Sequence, residues 1–128
     1  RAVLEGVAYH KRWLIEAVEK KAPHQEVLRF VGGGALSDAW CRIMADVTGR
    51  VIEVINEPQN AGALGAAVVT AVGLGLFKSF AEVKPLIPVQ GTYTPRREYR
   101  AVYDRGYLVF KDLYQNNRRA FHRLNKPA

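Results

Sequence analysis

Three consecutive glycines at residues 32–34 separate a short apolar run from a segment with helical spacing. The apolar run, residues 27–31, is typical of a buried β-strand. After the glycines, apolar residues recur every three or four positions, with Ser37 as the expected N-cap and Gly49 as the expected stop. A strand, a glycine turn and a helix therefore follow one another in this part of the chain.

The same alternation continues on both sides of this unit. An amphipathic helix is predicted over residues 2–21, before Pro23, and residues 51–55 form a second β-branched run. Asn60 is the expected cap of a small-residue helix over residues 61–76, whose alanines would let another element approach closely. Alternating helices and apolar strands predict an α/β fold with a mainly parallel sheet.

Two strands are too few for such a sheet, because sheets usually contain about four to six strands. Residues 77–95 hold three prolines and little periodicity, so we expect an irregular connection with at most one short helix. The length of 128 residues is that of one domain, but the chain opens at Arg1 without an initiator Met. We therefore expect the later part of a larger sheet domain, whose earlier strands are missing from this chain.

The charge is distributed unevenly. The formal net charge is +7, yet residues 1–76 hold eight basic and eight acidic residues, so the excess lies entirely in the remainder. There a helix predicted over residues 96–119 carries five aromatic residues on one stripe, with arginines between them: Tyr99, Tyr103, Tyr107, Phe110 and Tyr114. Aromatic and basic residues together could bind nucleic acid, but a single stripe favours packing against the domain.

Other features exclude some classes of protein. The uncharged residues 59–77 approach the length of about 20 residues that spans a membrane, but their polar residues and glycines favour a buried helix. The single Cys41 excludes an intrachain disulfide and favours a reducing cytoplasm. Cys41 follows a helix start that could lower its pKa, although a packed thiol is the commoner outcome.

Neither the acidic nor the imidazole side chains have the spacing of a metal site. Asp46 is expected on the polar side of its helix, solvated or hydrogen-bonded rather than bound to a metal. His10, His24 and His122 lie far apart, without a nearby carboxylate or thiol at ligand spacing, and are assigned no role.

The glycine turn offers the clearest binding chemistry. Glycines leave backbone N–H groups accessible at a helix start, an arrangement that suits a nucleotide. Asp38 would repel phosphate there, but it could accept hydrogen bonds from an adenine amino group or ribose hydroxyls. A turn that only packs strand against helix is one alternative. A dinucleotide site with Glu53 on the ribose is another, although Ser37 stands where that fingerprint has Gly or Ala.

The chain resembles the C-terminal part of the FGGY carbohydrate kinases, most closely their xylulokinase-like branch. The resemblance rests on the glycine turn with Ser37 and Trp40, on Ala45-Asp46, Gly49 and Glu57-Pro58, and on the Ala-Leu-Gly-Ala-Ala run that begins at Ala63. It continues through the first residues, which are similar to the end of a family signature, and through the tyrosine-rich tail, so it covers nearly the whole chain.

This resemblance implies a kinase of the actin-like ATPase superfamily, with ATP and Mg²⁺ between two ribonuclease-H-like domains. Residues 1–128 would be the C-terminal part of the nucleotide-side domain, without the N-terminal sugar-binding domain. The positions matching the family's nucleotide contacts are Gly33, Gly34, Ala35 and Asp38. The family's catalytic Asp would lie upstream, so we expect no catalytic residue, no metal ligand and no activity in this chain alone.

The resemblance also implies the partners. We expect ATP and a small sugar, a pentulose such as xylulose, as ligands of the full-length protein in the cytoplasm. Neither nucleic acid nor a membrane is expected as a partner, and a homodimer is left open. A non-catalytic module that binds nucleotide or nucleic acid is the alternative class of function.

Overall fold

The computed structural model describes residues 1–126. Short 3₁₀ turns lie at Gly33–Leu36, Pro58–Asn60, Lys84–Leu86 and Arg97–Tyr99. The helices and strands follow in the order α1 (Ala2–Val18), β1 (Val27–Phe30), α2 (Asp38–Thr48), β2 (Val51–Ile55), α3 (Ala61–Gly73), α4 (Phe80–Val83), β3 (Val89–Tyr93) and α5 (Arg100–Leu124).

The strands form one sheet in the order β1-β2-β3. Strands β1 and β2 are parallel, with Val27 opposite Val51, so the expectation of a mainly parallel sheet holds for this pair. Strand β3 is antiparallel to β2, with Tyr93 opposite Ile52. The prediction of an irregular connection over residues 77–95 is therefore wrong at β3, whose mostly polar sequence lacks the apolar run of a buried strand and whose central Gly91 is unfavourable in a strand.

Helix α2 lies at the centre of the fold, and both of its predicted ends are confirmed. The Ser37 hydroxyl accepts a hydrogen bond from the Trp40 amide at 3.4 Å, and Gly49 adopts the left-handed conformation at φ 70°. Seven residues of α2 are buried, between the sheet and helices α1 and α5. Because α2 is covered on several sides, its polar residues must find partners inside the protein.

Asp46 is the clearest example of this requirement. Asp46 is 2% exposed, so the expectation that it lies on a polar helix face is wrong. Its carboxylate accepts hydrogen bonds from the Arg96 backbone N–H at 2.9 Å and from the Arg96 guanidinium Nη2 at 2.6 Å. The hydrogen bonding that the sequence analysis expected is present, but in an ion pair that fastens the start of the last helical segment to α2.

The tyrosine stripe of α5 packs against α1, as predicted. Tyr103 and Tyr107 are buried, and Tyr9 and Trp13 of α1 contact the stripe through edge-on and tilted rings. The Tyr107 hydroxyl also donates a hydrogen bond to Glu16 of α1 at 2.5 Å. The stripe prediction is thus confirmed for Tyr103, Tyr107, Phe110 and Tyr114, whereas Tyr99 lies before α5 and is 38% exposed.

Helix α3 departs from the prediction. None of its residues is buried, and Val69 is 60% exposed, although the sequence favours a buried helix. Its main neighbours among residues 1–126 are the turn before it and the short α4. No helix of this described part of the chain is long and apolar enough to cross a membrane.

Candidate functional site

The glycine turn lies at the carboxyl end of β1, beside the turn that follows β2. Gly32 has φ +88°, a backbone conformation that residues with a side chain rarely adopt. Its N–H donates a hydrogen bond to the Pro58 carbonyl at 2.7 Å. This hydrogen bond joins the loops that follow two adjacent parallel strands. Ligands of open α/β sheets commonly bind at this edge.

The three predicted residues of the turn differ in what they present. Gly33 is exposed, and a Cβ added to it would meet nothing within 4 Å. Gly34 is also exposed, but a Cβ there would lie 3.2 Å from the ring of Phe30. Ala35 is only 5% exposed, and its backbone is already hydrogen-bonded: its N–H donates to the Gly32 carbonyl at 3.1 Å and its carbonyl accepts from the Cys41 thiol. The accessible surface of the turn is thus mostly backbone, as a bound phosphate or sugar would require.

Asp38 is the first residue of α2, and its side chain is exposed. Its Oδ1 accepts a short hydrogen bond from the hydroxyl of Tyr93, at the end of β3. This hydrogen bond, and to a lesser extent the partial burial of the phenol, raises the pKa of Tyr93 to about 12. The sequence analysis counted Tyr93 only as part of the tyrosine-rich tail that resembles the family and gave it no role in the site, because nothing in the sequence indicated that residues 89–93 form a strand beside α2.

Cys41 lies beneath the turn rather than in it. It is fully buried, and its thiol donates to the Ala35 carbonyl at 3.5 Å. Burial raises the pKa of the thiol, and the nearby charge of Asp38 raises it further. The interpretation of Cys41 as a packed thiol is confirmed by its burial, and its pKa is raised rather than lowered.

The turn that follows β2 lies beside the glycine turn at the carboxyl edge of the parallel strands. Glu57 has φ +48°, which is rare for a residue other than glycine, and its Oε2 accepts a hydrogen bond from the Asn60 amide at 3.0 Å. The Asn60 side chain makes no capping bond to α3, so the expected cap is wrong at this residue. A cleft of about 230 Å³ lies here, and it also includes Leu64 and Pro88.

The position of Glu53 does not fit the dinucleotide alternative. Glu53 lies in the middle of β2 and pairs with Arg29 at 3.6 Å, so it is not at the strand end where a dinucleotide site places its acidic residue. Within residues 1–126, no three His, Cys, Asp or Glu side chains come close enough together to hold a metal ion. Gly33, Gly34 and Asp38 remain as the exposed candidates for ligand contact.

The fold and the position of the turn define the class of protein. The chain has the fold of the actin-like ATPase superfamily: it aligns with the crystal structure of xylulose kinase from Rhodospirillum rubrum over 95% of its own length, with a TM-score of 0.76 and 34% identity. Residues 1–74 match the model for the C-terminal domain of the FGGY family of carbohydrate kinases. The chain belongs to this family.

Curated relatives agree with this assignment. The chain is 30% identical to xylulose kinase of Escherichia coli K12 over 115 residues, which cover 90% of this chain and 24% of the relative. It is 29% identical to xylulose kinase of Staphylococcus epidermidis over 119 residues, which cover 92% of this chain and 24% of the relative. The chain thus spans about a quarter of the length of these relatives.

Proposed function

We propose that this chain is the nucleotide-side part of an ATP-dependent carbohydrate kinase that phosphorylates a pentulose such as xylulose. The observation that carries the proposal is the exposed glycine turn, at the carboxyl edge of parallel strands, in a member of the FGGY family. The names of the relatives support xylulose as the substrate. ATP would supply the transferred phosphoryl group, with Mg²⁺ to neutralise its charge.

In this proposal, the turn and Asp38 bind the nucleotide. The backbone of Gly33 and Gly34 would lie against the phosphates or the sugar, where Gly33 leaves open space, and the buried Ala35 would hold the turn in place beneath them. The Asp38 carboxylate would accept a hydrogen bond from the adenine amino group or a ribose hydroxyl. No residue of this chain is assigned to Mg²⁺ or to the proton transfer from the sugar hydroxyl.

The surface area supports the place of this chain in a longer polypeptide. The chain exposes 9156 Å². A compact monomer of the same mass would expose about 6,800 Å². Much of the uncovered surface is apolar, as on α3, where Val69 and the neighbouring alanines are exposed. We propose that preceding segments of the same polypeptide cover this surface and complete the sheet.

Calorimetry of the intact gene product tests the nucleotide assignment. We expect ADP to bind and NAD not to bind, and phosphorylation of xylulose to require ATP. The variant Gly33→Ala places a methyl group in the open space of the turn and should weaken ADP binding by about 1–3 kcal/mol, the usual cost of overpacking.

The control is Gly6→Ala in α1, where the added methyl group also meets nothing within 4 Å. This variant should leave ADP binding unchanged. Equal ADP affinity in the Gly33→Ala variant and the original protein would contradict the nucleotide assignment. Binding of generic RNA that weakens steeply with salt would instead support the nucleic-acid alternative.

A further inference from the structure

Tyr93 lies beside the proposed nucleotide site without belonging to the glycine turn. It ends β3, outside residues 1–74 that match the family model, and its partner in the sheet is the buried Ile52 of β2. The Arg42 guanidinium of α2 lies 5.7 Å from the centre of its ring. The sheet and α2 therefore fix the position of the phenol.

The hydroxyl of Tyr93 donates to one oxygen of the Asp38 carboxylate, Oδ1. Among residues 1–126, the Oδ2 atom of Asp38 has no hydrogen-bond donor, so it remains available as an acceptor. An exposed aspartate otherwise samples several rotamers, and ordering such a side chain on binding weakens affinity. The Tyr93 hydrogen bond restricts Asp38 before any ligand arrives.

We propose that Tyr93 is a positioning residue for the nucleotide, which orients the Asp38 carboxylate so that Oδ2 can accept a hydrogen bond from the base or ribose. This inference rests on the proposed function, and it adds a residue from a different strand to the site. The phenol keeps its proton at neutral pH, because the ordinary pKa of tyrosine is about 10, and the hydrogen bond to Asp38 raises the pKa of Tyr93 further. Tyr93 therefore acts as a constant donor over the range in which a kinase works.

The variant Tyr93→Phe tests the proposal in the intact gene product, because it removes the hydroxyl and keeps the ring. ADP should bind about 2- to 12-fold more weakly by calorimetry, as expected for the ordering of one side chain. In steady-state kinetics, the KM for ATP should rise, while kcat and the KM for the sugar remain unchanged. Asp38→Ala should weaken ADP binding at least as much.

The matched control is Tyr107→Phe, which also removes a hydrogen bond between a phenol and a carboxylate, but at the contact of α5 with α1. This variant should lower the melting temperature and leave the Kd for ADP unchanged. A merely structural role for Tyr93 would give the same pattern in Tyr93→Phe, which would overturn the proposal.

A double variant separates positioning from general stabilisation. If Tyr93 acts through Asp38, then adding Tyr93→Phe to Asp38→Ala should weaken ADP binding no further. Additive effects would overturn the proposal, as would an unchanged Kd in Tyr93→Phe when Asp38→Ala is impaired; the nucleotide site itself would then stand. Absence of ADP binding by the original protein would instead overturn the proposed function together with this inference.

Discussion

Helices α2 and α3 each follow one of the two parallel strands, yet their surroundings are opposite. Helix α2 contains two aspartates and an arginine, and seven of its eleven residues are buried. Helix α3 has no charged residue, and none of its thirteen residues is buried. The comparison teaches that burial here follows position in the fold, since α2 lies between the sheet and two other helices.

The largest expected difference between the two helices is in the loss of stability when an apolar side chain is shortened to alanine. Met44→Ala in α2 removes a side chain that is 6% exposed and should destabilise the chain by about 2–5 kcal/mol. Val69→Ala in α3 truncates a residue that is 60% exposed and should change stability by about 0.5 kcal/mol or less. Urea unfolding of the 128-residue chain measures both values.

The same two substitutions should also be measured in the longer protein that we propose. There, the cost of Val69→Ala should rise if another segment covers α3. Equal losses of free energy of unfolding for Met44→Ala and Val69→Ala in the 128-residue chain would contradict the difference in burial between α2 and α3, because they would indicate equivalent environments for the two side chains.

A second, smaller difference is expected for polar side chains. Asp46→Ala in α2 removes a buried acceptor of several hydrogen bonds from Arg96 and should cost about 2–3 kcal/mol. Thr70 of α3 is exposed, and its hydroxyl bonds only to the Ala66 carbonyl of the same helix, so Thr70→Ala should change stability by less than about 0.5 kcal/mol. Thermal unfolding of both variants tests the contrast, and a neutral Asp46→Ala would show that the ion pair does not hold the last helix in place.

The smallest expected difference lies at the helix starts. Ser37 accepts the capping hydrogen bond of α2, so Ser37→Ala should destabilise by about 1 kcal/mol. The Asn60 side chain makes no such bond to α3 and binds Glu57 instead, so Asn60→Ala should cost less. Denaturant midpoints of the two variants provide the measurement, and a larger loss for Asn60→Ala would reverse the assignment of the caps.

Some of the fold could be predicted because its signals are local. The β-branched run of β2 and the glycines at 32–34 and 49 act through backbone preferences that neighbouring residues alone determine. The tyrosine stripe of α5 was predictable for the same reason, since its spacing specifies one face of a helix. These features agree with the structure at or within a few residues of the expected bounds.

The site was only partly predictable. Gly33, Gly34 and Asp38 are exposed together at the strand edge, as a nucleotide contact requires, and their role remains a prediction. The contact of Tyr93 with Asp38 could not be predicted, because it joins residues 55 positions apart through a strand with weak signals. The partner of Asp46 was hidden for a similar reason, since Arg96 is 50 positions away.

The amino-acid pattern alone predicted the order of helices and strands from α1 to α3, the positions of the glycine turns and the family to which the chain belongs, because these depend on local preferences and on spacing along the chain. The packing of the folded chain was needed to show that residues 89–93 form a strand, that the more polar helix α2 is buried, that the apolar α3 is exposed and that Tyr93 holds Asp38. These outcomes depend on which elements lie next to one another, and pairing across the sheet determines this over distances that no local pattern encodes.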